Sequence, residues 1–270
     1  MPVTLLARGA GLAVLYVALC ALPLMVALIG PRPDTGRGFW TELGVALGFV
    51  GLSMMGVQFA LTARFPGIST RLGQDTLLQF HKIAGMLAAG FVLGHQVVLV
   101  LADAAFRAFY DPRVNLMRAA ALTTANAAIL ALILLPFLRA RLGLAYEWWR
   151  LTHGVLAALV MLIAAAHVVM VGRYASPPLK AAVFVLLSCA PLALLGHVRL
   201  LRPWLLRSHP YRVVDVRRER DGVWTVAVEP AGRPLRFEAG QFALVTFGDL
   251  PLGFRQHPFT IASSAEPPER

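Results

Sequence analysis

Charge is scarce in this sequence. Only 14% of its 270 residues are charged while 58% are hydrophobic, and mean hydropathy is +0.67. A soluble domain carries about 25% charged residues. A single water-soluble globule is therefore excluded, because its surface would lack polar cover. The same apolar content excludes disorder. Cysteine is nearly absent. Cys20 and Cys189 cannot build a disulfide framework or a CxxC metal site. Acid is scarcer than base, with 14 Asp and Glu against 25 Lys and Arg, a formal net charge of +11. The placement of that charge argues against a nucleic-acid partner. Residues 1–206 hold 16 basic and 6 acidic residues, whereas residues 207–270 hold 9 and 8. The basic excess thus lies in the apolar part, where a membrane protein places Lys and Arg in its loops. Repeats of solenoid period and low-complexity tracts are also missing.

Long apolar runs are what the sequence has instead. A bilayer core needs about 20 apolar residues per helix. Six stretches meet or approach that length: about 9–29, 43–63, 77–101, 119–138, 151–171 and 179–198. The first is longer than a signal-peptide core and no A-x-A site follows it, so it reads as a retained helix. Leu19 before Cys20 argues against a lipidation site. Six crossings put both termini on one side. With that side inside, nine arginines fall in inner segments, against seven basic residues in outer loops; the cluster Arg199, Arg202 and Arg207 carries most of the argument. Residues 1–206 are expected to form the membrane domain.

After Pro203 the composition changes. Residues 211–218, 224–229, 242–247 and 259–262 follow a short-strand rhythm, and Asp221-Gly222 is a hairpin turn signal. Residues 207–270 are expected to begin a small antiparallel β-domain at the inner membrane face. The fold class is therefore an all-α bundle of six transmembrane helices followed by an incomplete antiparallel β-barrel.

Histidine carries the chemistry. His81 and His95 lie in the third span, His153 and His167 in the fifth, and each pair is 14 positions apart. Fourteen helical residues rise about 21 Å and turn about 1400°, within roughly 40° of four full turns. Each pair therefore projects from one helix face at two depths. Spans three and five run in the same direction, so His81 is level with His153 and His95 with His167. Two facing imidazoles can supply both axial ligands of a haem iron, and two levels give two haems. Gly85, Ala88, Ala89, Gly90 and Gly94, with Gly154, Ala157, Ala158, Ala164, Ala165 and Ala166, are expected to leave room for macrocycles. Other readings stay open: histidines that hydrogen-bond a neighbouring helix, and a proton relay, although no acid lies between the histidines of either pair. A di-metal site is disfavoured by the separation of the levels. Lys82, Arg150, Arg64 and Arg71 on the inner side, and Arg107, Arg113, Arg118 and Arg173 on the outer, are candidate partners for haem propionates; each also suits an interface anchor. Gln58 and Asn126 read as helix–helix hydrogen bonders, Cys20, Cys189, Met54 and Met55 as packing, and His197 and His209 as interfacial or linker residues.

Several stretches carry a family resemblance: FHKIAG at 80–85 with His95, YEWWRLTHG at 146–154 with His167, AGQFALVTF at 239–247 and HPFTIASS at 257–264. Together they resemble the ferric reductase and NADPH oxidase superfamily in its bacterial form, over nearly the whole chain from about residue 40. The resemblance implies that His81 and His153 bind an inner b haem and His95 and His167 an outer one. It implies an FAD site in which Phe259 of the His257-Pro258-Phe259-Thr260 motif packs on the isoalloxazine. Thr260 then lies near the ring edge, and His257, Ser263 and Ser264 toward the ribityl and phosphate portion. An aromatic face suits a flat ring, and hydroxyls with backbone N–H groups suit phosphate.

The resemblance further implies an oxidoreductase that moves electrons from cytoplasmic NAD(P)H through FAD and two haems to an outer acceptor, a ferric chelate or dioxygen. The setting would be the inner membrane, with both termini cytoplasmic. The family continues into a nucleotide-binding domain, yet no GxGxxG-like turn after a strand occurs in these residues. The expectation is a fragment or truncated product, or a partner flavoprotein that completes the reductase. Expected partners are membrane lipid, a small-molecule acceptor and, where the reductase is completed from outside the chain, that flavoprotein; no nucleic acid is expected. Two alternatives remain: a haem-only subunit fed by a separate flavoprotein or quinol, and a non-redox transporter or structural membrane protein.

Overall fold

The computed structural model describes residues 3–29, 36–63, 65, 73–176, 178–207, 209–235, 237–238, 240–247 and 256–264. Arg64 and Arg71 lie outside them. The chain divides into two compact units, Met1–Leu195 and Gly196–Arg270.

The first unit is helical: α1 (Val3–Leu28), α2 (Phe39–Thr62), α3 (Gln74–Ala102), α4 (Pro112–Leu138), α5 (Tyr146–Val171) and, up to the unit boundary, α6 (Pro178–Gly196). Six helices are long and apolar enough to cross a membrane, the last counted as Pro178–Leu206. The chain is a multi-pass membrane protein. Several helices extend beyond their apolar windows, because capping residues are polar and hydropathy does not register them. Helix α4 shows this best. The Asp111 side chain accepts from the Arg113 amide at 2.8 Å, and Pro112 occupies the first turn. The backbone then breaks at Asn115 (φ −160°, ψ 101°), whose side chain accepts from the Arg118 amide at 2.9 Å and restarts the helix.

Packing inside the bundle relies on small residues, as membrane helices do when no hydrophobic effect drives them together. Ala88 and Ala89 are buried. Ala88 packs with Cys20 and Met54, and Ala89 with Ala128, Ile129 and Val160. These two alanines therefore serve helix contact rather than macrocycle space, a correction to the sequence reading. Large apolar side chains such as Leu101 and Met117, each 80% exposed, line the outside. That inversion is expected where the solvent is lipid. Gln58 also differs from expectation. Its Nε2 donates to the Met54 carbonyl of its own helix at 3.2 Å rather than to a neighbouring helix. Asn126 does join two helices, as described below.

In the second unit the chain makes a π-helical turn at His197–Leu201 and a short helix α7 (Arg202–Leu206). Strand β1 (Tyr211–Arg218) then pairs antiparallel with β2 (Trp224–Pro230). The turn between them holds Asp221 at φ 57° and Gly222 at φ 77°, the left-handed pair that Asp-Gly supplies cheaply. Strand β3 (Phe242–Val245) pairs antiparallel with β4 (His257–Thr260), placing Ala243 opposite Phe259 and Leu244 opposite Pro258. The fourth strand is thus HPFT rather than FTIA. Proline is tolerated there because a two-stranded sheet consists only of edges. Among the described residues the sheets are two separate hairpin-like pairs with no closed barrel.

Candidate functional site

Helices α3 and α5 bring the four histidines into two layers. In the proximal layer, near the first turns of both helices, the His81 and His153 rings have centroids 6.2 Å apart at an interplanar angle of 61°. Trp149, one turn before His153, lies 5.7 Å from its ring. In the distal layer His95 and His167 line one cavity. All four rings are half-buried. The pairing within layers shows that α3 and α5 run in the same direction. Among the described residues no group of three or more His, Cys, Asp and Glu forms a conventional metal site.

The distal layer has a defined tautomer. His95 Nδ1 lies 2.7 Å from the Gly44 carbonyl of α2. A carbonyl can only accept, so Nδ1 carries the proton and Nε2 keeps a free lone pair. His81 Nδ1 is buried with no hydrogen-bond partner among the described residues.

The cavity wall is mostly apolar, with Phe49, Leu52, Val92, Ile163 and Ala164 among its residues. Of the small residues singled out in the sequence, Ala164 lines it. One side is a hydrogen-bonded cluster across α3 and α4. Gln96 Nε2 donates to Asn126 Oδ1 at 2.7 Å, and Asn126 Nδ2 donates to Gln96 Oε1 at 2.8 Å and to Tyr110 Oη at 3.1 Å. Tyr110 Oη donates in turn to Gln96 Oε1 at 2.5 Å. Burial holds the Tyr110 phenol above its ordinary range. Tyr110 closes the 3-10 turn Ala104–Phe109 that follows α3.

Arg118 lies beside this turn. Its Nη2 donates to the Ala108 carbonyl at 2.8 Å and its guanidinium sits 4.3 Å from the Phe109 ring centroid, whose ring is in turn 6.2 Å from His167. Its Nε is buried with no hydrogen-bond partner among the described residues. Arg37 and Tyr174 also line the cavity. Tyr174 donates to Glu42, and burial together with that carboxylate raises its phenol pKa.

The other cations divide by layer. Lys82 lies 5.5 Å over the Phe137 ring and Arg150 5.9 Å over Tyr146; both follow or precede proximal histidines in the chain. Arg107 and Arg113 are exposed, and Arg173 is half-buried next to Tyr174 in the chain. The sequence reading missed Arg37 as a site residue and missed the part played by α2. The signal for the latter was present in Gly44-x-x-x-Gly48, a small-xxx-small pattern.

In the β unit, Phe259 is half-buried with its ring 6.0 Å from Phe247, while His257 lies 5.9 Å from the same ring. His257, Pro258, Thr260, Ser263 and Ser264 are exposed.

Residues 47–164 match the family described as ferric reductase like transmembrane component. The matched segment is therefore similar to ferric reductase-like transmembrane components over a little less than half of the chain. The ferric reductase-like match spans His81, His95 and His153 and ends just before His167. The similarity supports a membrane electron-transfer component. A protein of Archaeoglobus fulgidus described as uncharacterized is 29% identical over 177 residues, covering 62% of this chain and 87% of its own length.

Proposed function

We propose that the chain holds two b haems, one in each histidine layer, and carries electrons across the inner membrane from a cytoplasmic flavin-linked donor to an acceptor outside. The observation that supports this reading is the pairing of histidines from two co-directional helices at two depths. The residues fit such a group. Two imidazoles that each place a nitrogen about 2.0 Å from one ion have centroids about 6 Å apart, and His81 and His153 are 6.2 Å apart. A site with two protein ligands suits a macrocycle that brings its own four nitrogens. Bound there, haem would supply one-electron redox chemistry.

The chain's own residues bind and orient. His81 with His153, and His95 with His167, are the ligands. The Gly44 carbonyl leaves His95 Nε2 available. Phe49, Leu52, Val92 and Ile163 keep water from the distal layer. Arg118, whose buried Nε has no hydrogen-bond partner among the described residues, is the best placed cation for a carboxylate there. Lys82 and Arg150 suit the proximal layer, with Arg64 and Arg71 as further candidates. Arg107, Arg113 and Arg173 are better suited to the membrane surface. The acceptor is a ferric chelate or dioxygen, and both termini are cytoplasmic.

Phe259, steadied by Phe247, is proposed to stack on FAD, with His257, Pro258, Thr260, Ser263 and Ser264 around it. NAD(P)H is the proposed ultimate donor. A second reading is a haem-only subunit fed by a separate flavoprotein, and the exposure of the HPFT motif on a two-stranded sheet favours it. Acid extraction of the purified chain separates the two. Bound flavin at about one per chain supports the first, and its absence beside intact haem supports the second. If flavin is bound, Phe259→Ala is expected to weaken its retention about tenfold, the scale of a lost aromatic stack, as measured by fluorescence of released flavin. A colourless chain would instead favour the non-redox reading.

A further inference from the structure

Helix α2 carries no histidine, yet it touches the ring of one. The Gly44 carbonyl accepts from His95 Nδ1 at 2.7 Å. One turn later, a Cβ placed on Gly48 would lie 2.7 Å from that same Nδ1, 3.0 Å from Cε1 and 3.1 Å from Cγ. The imidazole therefore occupies the space a side chain at position 48 would need. The ring cannot simply swing aside, because the hydrogen bond to Gly44 holds it and because displacement away from α2 moves it into the cavity it shares with His167. Gly51 allows an equally close approach further along α2, but there the neighbour is Val92 Cγ2 at 2.7 Å, with no imidazole involved.

We propose that α2 is the positioning element of the distal histidine layer: the Gly44 carbonyl fixes the tautomer and angle of His95, and Gly48 is required because the imidazole fills its side-chain space. The inference rests on the two-haem reading and deepens it. A ligating histidine is commonly held by a partner on its other ring nitrogen, and loss of such a partner weakens metal affinity 10–100-fold. Here the partner is a backbone carbonyl. No side-chain substitution deletes it, and the glycine beside it is the position where mutation acts.

The test compares Gly48→Ala with Gly51→Ala in the purified full-length chain carrying its haem. Both substitutions wedge α2 from α3, and both are expected to lower the melting temperature in detergent. Gly48→Ala is expected to bring the haem-to-chain ratio from two toward one and to change one of the two low-spin ferric EPR signals. Gly51→Ala is expected to keep both signals and a ratio of two. A Gly48→Ala chain with two haems and unchanged EPR signals overturns the inference. So does equal haem loss in both variants, which would assign the glycines to packing alone. If Gly48→Ala does not survive detergent, its EPR signals are read in isolated membranes, and Gly94→Ala extends the comparison. Gly94 adjoins His95 but has only ordinary contact space around it, so loss of the distal signal in Gly94→Ala would also overturn the proposal, whereas its retention beside a changed signal in Gly48→Ala membranes would uphold it. A wild-type chain without haem would instead defeat the functional reading on which the inference stands.

Discussion

Replacing His167 with alanine is expected to remove one of two haems from the purified chain and leave the other spectrally intact. His167 shares the distal cavity with His95, and the proximal pair sits at the other end of the same two helices. Loss of the hydrogen-bond partner that orients a ligating histidine costs 10–100-fold in affinity, so loss of the histidine itself should cost at least about 100-fold. His153→Ala is expected to remove the other haem, leaving the distal signal. The pair of variants together should bind none. The readout is the pyridine haemochrome ratio, backed by EPR of the ferric chain. Haem loss of both groups from either single variant would mean that the layers are not independent sites.

The second large effect is structural. Asn126→Leu removes three hydrogen bonds within the Gln96–Asn126–Tyr110 cluster and leaves Gln96 and Tyr110 facing an apolar residue. Hydrogen bonds between membrane helices contribute about 0.6–2 kcal/mol each, and a buried group left unsatisfied costs about 1–3 kcal/mol. A loss of about 2–4 kcal/mol is expected, seen as a lower melting temperature of the chain in detergent. Tyr110→Phe, which deletes the group rather than stranding it, should cost about 1 kcal/mol. The double variant Gln96→Leu/Asn126→Leu should recover part of the loss, because both members of the amide pair then become apolar. Unchanged stability in Asn126→Leu would show that the cluster does not hold the 3-10 turn against the bundle.

The histidine layers were legible because they depend only on helical arithmetic. A spacing of 14 fixes face and depth, and two intervening crossings fix direction. The bundle was legible for a similar reason, since hydropathy reports spans whatever their neighbours. Contacts between helices were not. Ala88 and Ala89 lie in the same helix as His81 and His95, yet they pack against side chains of α1, α2, α4 and α5 rather than leaving space for a macrocycle. Gln58 satisfies its amide N–H on its own helix, an outcome decided by what lies opposite it. The Gly44 carbonyl could not be read at all, because every residue has one and only the tertiary approach gives this one a histidine. Gly48 left a trace as a small-xxx-small pattern, which names a close approach but not the ring that makes it. Arg37 appeared as one loop arginine among several until the cavity placed it on the wall. In the β unit the Asp-Gly turn was plain, whereas the strand at the HPFT motif starts at His257 because pairing with β3 decides its limits.

The haem-to-polypeptide ratio of the purified wild-type chain, measured by pyridine haemochrome beside a reduced-minus-oxidised spectrum, tests the central claim most directly. The paired histidine layers predict two b-type haems per chain. A chain that purifies without haem, or with a single haem that survives loss of either layer, would contradict it.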